Sequence, residues 1–273
     1  MTSIAPSSPS FATARASASG GDRGIALWLL GFNRGGADLK IAALASLGLA
    51  GLSLGASTLH LGRPIHAWKA LRGLRRSWLS REVLTLSMFA GAAGAFATML
   101  FFGLVGRDLA GLATALAGVA GITCSARIYI VRARPAWFSS YTVAEFFSTA
   151  LLLGPAFVHL IDRHAPAALL LASVAGGAAQ LLVQSGKFLW LSRSEAFELR
   201  SSSLLLAGRL QSRFVVRLLI LIAAGIVIPL AASSAWILGA GFLFALAGEF
   251  LGRYLFFVSV VPKNIAAAFT RAA

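Results

Sequence analysis

The protein has 273 residues, of which 58% are hydrophobic and only 12% charged. Its mean hydropathy of +0.81 lies far outside the range of soluble domains, so the composition predicts an integral membrane protein. The formal net charge of +15 does not indicate nucleic-acid binding, because the Lys and Arg residues lie in short links between apolar runs. The single cysteine, Cys124, excludes a disulfide framework and a protein-bound iron–sulfur cluster, which needs several thiolates.

Seven apolar runs are long enough to cross a membrane, since a transmembrane helix needs about 20 predominantly apolar residues. They cover residues 41–61, 83–105, 109–131, 142–161, 166–189, 214–233 and 235–258. The sequence therefore predicts an all-α fold, a polytopic transmembrane helix bundle within residues 38–261. Residues 1–37, rich in Ser and Ala at their start, predict a disordered extension or a misassigned start, and residues 262–273 form a short tail.

The distribution of charge between the runs predicts how the bundle is oriented. Links 62–81, 132–141 and 190–213 carry many Arg and Lys residues, whereas the links between them carry no net positive excess. Basic and non-basic links alternate along the sequence, as the positive-inside rule requires. We therefore expect the three basic links and the C-terminus to be cytoplasmic.

Polar side chains within or beside the predicted helices fall in one leaflet once the alternating helix directions are considered. They are His60, Glu82, Arg127, Glu145, Arg217, Glu249 and Arg253, with Gln180, Gln184 and Lys187. A cluster at one depth suggests a shared polar pocket or a docking face. The alternative is that Arg217 and Lys187 extend to the membrane surface. Glu249 and Arg253 are four residues apart, so they can pair on one helix face.

The histidine positions indicate a protein without haem. A membrane b-type haem usually needs two facing histidines, and only His60 and His159 lie in or at the ends of predicted helices. The predicted topology places them in opposite leaflets. His60 is then either an ordinary interfacial histidine or a group that exchanges a proton with a redox ligand near neutral pH.

Four segments in order carry a resemblance to a known family. They are Leu59-His60-Leu61-Gly62-Arg63-Pro64 with Trp78-Leu79-Ser80-Arg81-Glu82; Ser125-Ala126-Arg127-Ile128-Tyr129 with Arg134-Pro135-Ala136-Trp137; Glu145-Phe146-Phe147; and Gly248-Glu249-Phe250-Leu251-Gly252-Arg253 with Phe256-Phe257. From about residue 40 onward, the sequence resembles the dimethyl sulfoxide (DMSO) reductase membrane anchor subunit family. The family typically has eight spans, one more than the seven runs found here.

The resemblance implies a haem-free subunit of the bacterial cytoplasmic (inner) membrane that anchors a molybdopterin catalytic subunit and a ferredoxin-like iron–sulfur subunit. It also implies that the protein binds and oxidises menaquinol or a related quinol and passes the electrons to the iron–sulfur partner. His60 and Glu82 match motif positions that the family associates with the quinol site. We expect these two residues to accept the protons that a quinol loses on oxidation.

Arg127, Glu249 and Arg253 are expected to set the electrostatics of that pocket and to contact the quinone oxygens. No metal site is expected within this protein. Two alternatives from other functional classes are a structural anchor with no quinol chemistry and a small multi-pass transporter. The sequence shows no inverted repeats or broken helices of the kind that transporters have.

Overall fold

The computed structural model describes residues 40, 41, 43–45, 47, 48, 51, 71–161, 167–232 and 234–263. The helices in these ranges are α1 (Trp78–Phe102), α2 (Arg107–Ile128), α3 (Ser140–Ile161), α4 (Ala167–Ser192), α5 (Phe197–Ala207), α6 (Gln211–Ala231) and α7 (Ala235–Val258). Helix α6 contains a π-helical turn over Ala223–Val227. No strand occurs within the described ranges, so the prediction of an all-α fold is confirmed.

Six of these helices, all except α5, are long and apolar enough to cross a membrane. In none of them is more than 28% of the most apolar stretch buried inside the protein. Large apolar side chains such as Leu182, Leu243 and Phe250 are more than 60% exposed. Apolar surface of this extent needs an apolar solvent, so the outward faces of the helices fit a lipid bilayer.

The first predicted run, residues 41–61, lies largely outside the described residues. The described positions at its start are helical. Lys40 Nζ donates a 3.3 Å hydrogen bond to the carbonyl oxygen of Phe101, and Ala43 packs against Phe96 and Leu100. This segment therefore begins beside the C-terminal end of α1. The predicted extension 1–37 and most of the predicted tail also lie outside the described residues.

Helix α1 and the link 190–213 differ from the sequence prediction in ways that affect the site. Helix α1 begins at Trp78 rather than residue 83, because the Ser77 hydroxyl accepts a hydrogen bond from Ser80 N and caps the helix. Glu82 therefore lies inside the helix rather than just before it. The basic link 190–213, for which no helix was predicted, contains α5 and the first residues of α6.

The helices pack as antiparallel neighbours. Helix α1 lies along α2 and α3 along α4, while α7 contacts both α6 and α3. Glycines allow the closest approaches: a Cβ on Gly176 would lie 2.3 Å from Leu152 N, and one on Gly177 would lie 2.6 Å from Gly225 O. Gly225 belongs to the π-helical turn of α6, so α4 contacts the backbones of both α3 and α6.

This arrangement gathers the described parts of the three basic links at one end of the bundle, which we call the basic face. It is formed by the N-terminal ends of α1, α3 and α6 and the C-terminal ends of α2, α4 and α7. Two hydrogen bonds hold this face together: Trp137 Nε1 donates to Phe256 O at 2.9 Å, and Lys263 N donates to Ala133 O at 3.0 Å. Both join the link after α2 to the end of α7.

Candidate functional site

Glu82 and Ser125 meet at the basic face. Glu82 lies in the second turn of α1, and Ser125 lies in the last turn of α2. Since the two helices are antiparallel neighbours, the Ser125 hydroxyl reaches Glu82 Oε1 and donates a hydrogen bond to it. Both residues belong to segments that carry the family resemblance, and they form the Glu82 group together with Tyr129.

Tyr129 follows immediately after α2 and is half-buried among aromatic rings. Its ring centroid lies 5.4–5.7 Å from those of Trp137, Phe146, Phe256 and Phe257. Burial raises the pKa of Tyr129, the negative charge of Glu82 raises it further, and Arg253 opposes the shift. The hydroxyl therefore stays protonated at neutral pH and is available as a hydrogen-bond donor.

Arg127 is exposed beside the Glu82 group. Its guanidinium lies 5.7 Å from the centroid of the Trp78 ring, and the guanidinium of Arg81 lies 4.4 Å from the same ring. Arg81 is further fixed by hydrogen bonds of 2.8 and 2.9 Å to the carbonyl oxygens of Leu74 and Arg75. Cation–π contacts thus hold two positive charges near Glu82.

A second polar group, the Glu249 network, lies among four helices. It consists of Glu249 on α7, Arg217 on α6, Thr149 on α3 and Gln180 on α4. Arg217 Nη2 donates to Glu249 Oε1 at 2.6 Å. Thr149 Oγ1 and Gln180 Nε2 donate to Glu249 Oε2 at 2.8 and 3.3 Å. Both carboxylate oxygens are therefore satisfied, as a buried charge requires.

The alternative that Arg217 extends to the membrane surface is wrong, because its side chain is fully buried. The guanidinium lies against two glycines of α7: a Cβ on Gly248 would be 2.9 Å from Arg217 Nη1, and one on Gly252 would be 2.9 Å from Nε. Residues four apart share a helix face. The missing side chains of these glycines therefore make the space that Arg217 occupies.

Lys187 does not extend to the surface either. Its Nζ contacts both carboxylate oxygens of Glu145 at 2.9 Å, and both side chains are only slightly exposed. Lys187 Nζ also lies 4.9 Å from the centroid of the Phe256 ring. This ion pair joins α3 to α4 near the basic face.

Arg253 does not form the predicted ion pair with Glu249, whose partner is Arg217. The Arg253 guanidinium instead stacks 3.8 Å from the centroid of the Phe146 ring. It is still close enough to the carboxylates of Glu249 and Glu145 to interact with their charges, and it also lies near the neutral hydroxyl of Tyr129. Within the described ranges no hydrogen bond joins the Glu82 group to the Glu249 network. Arg253 is close to both, because its positive charge interacts with Glu249 and lowers the pKa of Tyr129.

A cavity of about 50 Å³ adjoins the Glu249 network. It has room for about three to five water molecules, at roughly 10–15 Å³ each. Glu82 and Arg127 do not line it. Its polar lining consists of Glu145, Thr149, Gln180, Gln184, Lys187, Glu249, Arg253 and Ser259. The structure thus brings Glu249 and Arg253 to one cavity and places Glu82 and Arg127 in separate surroundings.

His60 lies outside the described residues, so its predicted place beside Glu82 stays a prediction. Among the described residues, the sequence did not single out Ser125, Tyr129 or Thr149 as site residues. Ser125 and Tyr129 stand in the same segment as Arg127, which was the only signal that could have found them. Thr149 stands four residues after Glu145 and shares its helix face.

Comparison with curated proteins gives several partial relatives. The sequence is 37% identical to the C subunit of sulfite dehydrogenase from Allochromatium vinosum over 130 residues, which cover 42% of this protein and 39% of that one. It is 31% identical to the YnfH component of anaerobic dimethyl sulfoxide reductase from Escherichia coli over 123 residues, covering 43% and 42%. The matched part thus spans about two fifths of each of these relatives.

A longer match is with the C component of anaerobic dimethyl sulfoxide reductase from Escherichia coli, at 29% identity over 229 residues and 77% of each protein. No solved structure matches the sequence. The family model of the DMSO reductase anchor subunit, DmsC, matches residues 35–258. That range contains the Glu82 group, the Glu249 network and all six spanning helices. The protein is therefore a multi-pass membrane protein that belongs to the DMSO reductase anchor subunit (DmsC) family.

Proposed function

We propose that this protein is the quinol-oxidising membrane anchor of a molybdopterin oxidoreductase complex. In this proposal it holds a molybdopterin catalytic subunit and a ferredoxin-like iron–sulfur subunit at the membrane of a bacterial cell. It oxidises menaquinol or a related quinol and passes the electrons to the iron–sulfur partner. Family membership supports the role of an anchor, and the chemistry of the Glu82 group supports the oxidation step.

The meeting of Glu82 and Ser125 is the observation that carries the proposal. A quinol that becomes a quinone loses two electrons and two protons, so its site needs proton acceptors near water. Glu82 lies near a helix end at the basic face, and the Ser125 hydrogen bond fixes the orientation of its carboxylate. The second Glu82 oxygen, Oε2, is then available to accept a hydrogen bond from a quinol hydroxyl.

The step is balanced by two acceptors. Glu82 takes one proton and His60 takes the other, while both electrons go to the iron–sulfur partner. The protonated hydroxyl of Tyr129 and the exposed guanidinium of Arg127 supply hydrogen-bond donors for a quinone oxygen. Glu249 and Arg253 contribute charge from the neighbouring cavity rather than through contact with Glu82.

The test is binding of a fluorescent quinone-site inhibitor to membranes that contain the assembled complex. The wild type is compared with Glu82→Gln and His60→Ala at equal amounts of complex. We expect both variants to lose most inhibitor binding and quinol-driven reduction of the partner cluster. Glu195→Gln is the matched control, because Glu195 is exposed in the link before α5 and also faces the basic side.

If the wild-type complex binds no inhibitor, the protein is a structural anchor without quinol chemistry. If the control loses binding as strongly as Glu82→Gln, the effect comes from the overall charge of the basic face. Loss that is confined to Glu82 and His60 supports proton acceptance at these residues.

A further inference from the structure

The outer surface between α6 and α7, which we call the α6–α7 crease, carries an apolar stripe. Its α7 side consists of four residues spaced three or four apart, which therefore share one helix face: Phe244, Ala247, Leu251 and Tyr254. Phe244, Ala247 and Tyr254 are exposed, whereas Leu251 packs against a cluster that contains Ile220 of α6. The stripe lies on a spanning helix, so it faces lipid acyl chains.

Helix α6 forms the other side of the crease. The two helices touch closely, since a Cβ on Gly248 of α7 would lie 2.5 Å from Ile220 Cγ2. Arg213 and Val216 lie one turn apart on α6, and both are exposed. Arg213 Nη1 donates a 3.1 Å hydrogen bond to the Tyr254 hydroxyl, and its guanidinium lies 5.3 Å from the centroid of the Tyr254 ring. Arg213 thus spans the crease at the basic face.

Arg213 lies at the depth of the lipid headgroups. The membrane-crossing helix α6 has 21 residues. At 1.5 Å per residue its length is about 31 Å, which matches a hydrocarbon layer about 30 Å thick. Arg213 is the third residue of this helix, and Arg209 precedes it in an exposed turn. The two cations therefore lie where the hydrocarbon layer meets the headgroups, at one end of the stripe.

The stripe has the length of one lipid leaflet. Phe244 and Tyr254 are ten residues apart, which is about 15 Å along α7. A hydrocarbon layer about 30 Å thick gives each leaflet about 15 Å. An acyl chain that starts beside Tyr254 therefore reaches Phe244 near the centre of the bilayer.

The positive charge at this end of the crease is not balanced by the part of the protein that the structure describes. Neither Arg209 nor Arg213 forms an ion pair there. Helix α6 contains no acidic residue, and the single acidic residue of α7, Glu249, is buried and paired with Arg217. An anion that binds at the crease would gain charge-assisted hydrogen bonds from the two arginines.

We propose that the α6–α7 crease is a binding site for one phospholipid with an anionic headgroup. The phosphate oxygens accept hydrogen bonds from Arg213 and Arg209, and one acyl chain lies along the stripe. Basic groups between spanning helices near the membrane surface bind anionic lipid headgroups in this way. The bound lipid fixes the start of α6 against the end of α7. The site is independent of the quinol chemistry proposed for the Glu82 group.

The experiment titrates the purified, delipidated complex in detergent with dioleoylphosphatidylglycerol and counts bound lipid by native mass spectrometry. Dioleoylphosphatidylcholine, which has the same acyl chains and no net charge, is the comparison lipid. We expect Arg213→Gln and Arg209→Gln each to weaken phosphatidylglycerol binding about fivefold, the effect of one arginine near an anionic lipid surface. Tyr254→Phe keeps the ring but removes the hydroxyl that holds Arg213, and a loss of about two- to threefold is expected. Binding of phosphatidylcholine should not change.

Arg132→Gln is the matched control, because Arg132 is an exposed arginine of the basic face in the link after α2. If it weakens phosphatidylglycerol binding as much as Arg213→Gln does, the lipid responds to the general charge of the face and the proposal is overturned. Equal affinity of the wild type for the two lipids also overturns it. Displacement of the lipid by an equal concentration of glycerol phosphate would remove the role of the stripe. Loss of a copurifying subunit from Arg213→Gln with unchanged lipid binding would show that a protein covers the crease instead. Should Arg213→Gln fail to assemble, Arg209→Gln and Tyr254→Phe decide the question.

Discussion

The charge of Arg217 lies inside the bundle with one close counter-charge. Glu249 is 2.6 Å away, and the two side chains are at most 7% exposed. Removing one member of a buried ion pair leaves the other charge uncompensated, which costs far more than removing both. We therefore expect that replacing both residues destabilises the protein less than replacing either one alone.

Glu249→Ala is predicted to lower the free energy of unfolding by about 3–5 kcal/mol, because it strands the Arg217 charge. The double variant Arg217→Met with Glu249→Leu is expected to recover most of that loss. Thermal unfolding of the complex in detergent measures both. Glu145→Gln, in the slightly exposed pair with Lys187, is the control and should cost less. Equal losses in the single and double variants would contradict the coupling.

The hydrogen bond from Ser125 to Glu82 predicts an effect on the rate of the proposed quinol oxidation. Ser125→Ala removes the hydroxyl that orients Glu82 and is predicted to lower kcat/KM for the proposed quinol oxidation about 10- to 150-fold, since hydrogen bonds to charged groups contribute roughly 1.5–3 kcal/mol. Ser125→Thr keeps the hydroxyl and should restore most of the rate. Ser87→Ala is the control, because that hydroxyl donates only to Val83 O of its own helix. A rate unaffected by Ser125→Ala would remove Ser125 from the mechanism.

Residue types explain which site members the sequence could reveal. A carboxylate within an apolar run is costly and therefore stands out, as Glu249 does. A hydroxyl does not, because it can satisfy itself on its own helix: Thr98, Thr114 and Thr123 each donate to the carbonyl oxygen four residues earlier. Only the tertiary contact separates Ser125 from these residues, and a single sequence contains no such contact.

At the scale of helices, composition located the spans but not their contacts. The six apolar runs from residue 83 onward each correspond to a described helix, with ends that differ by a few residues. Helix α5 was missed because its 11 residues, Phe197–Ala207, include three serines and two charged residues and form no long apolar run. The partner of Glu249 was missed because Arg217 lies on another helix, whereas Arg253 is its neighbour in the sequence.

Close helix contacts make the position of each glycine testable. Gly176→Ala would place a Cβ 2.3 Å from Leu152 N, so α3 and α4 would have to separate. We predict a loss of about 1–3 kcal/mol or more from overpacking. Gly154→Ala and Gly91→Ala, where a Cβ would meet nothing within 4 Å, should have little effect. The unfolding temperature of the complex distinguishes the cases, and equal shifts in all three variants would contradict the described contact.

At the scale of the whole molecule, the two ion pairs that join different spanning helices in the described ranges both lie toward the basic face. The ends of the helices carry Arg-rich links there, while at the other end the turn between α1 and α2 carries no charged residue and the first turn of α2 carries one Arg and one Asp. Both the proposed quinol site at the Glu82 group and the docking of a partner subunit are therefore expected on the same side of the membrane. The positive-inside rule predicts that this side is the cytoplasmic one.

The orientation is testable with single cysteines, because Cys124 is buried and is the only cysteine in the sequence. In a Cys124→Ala background, Arg132→Cys and Arg193→Cys place thiols at exposed positions of the basic face, and Val105→Cys places one at the opposite end, where the side chain is 98% exposed. An impermeant maleimide should label positions 132 and 193 only in inverted vesicles and position 105 only in right-side-out vesicles, since basic links remain in the cytoplasm. Labelling of 132 and 193 from different sides would contradict the helix arrangement itself. Labelling of both from the periplasm would preserve the arrangement and reverse the orientation, and with it the compartment that receives the quinol protons in the proposed function.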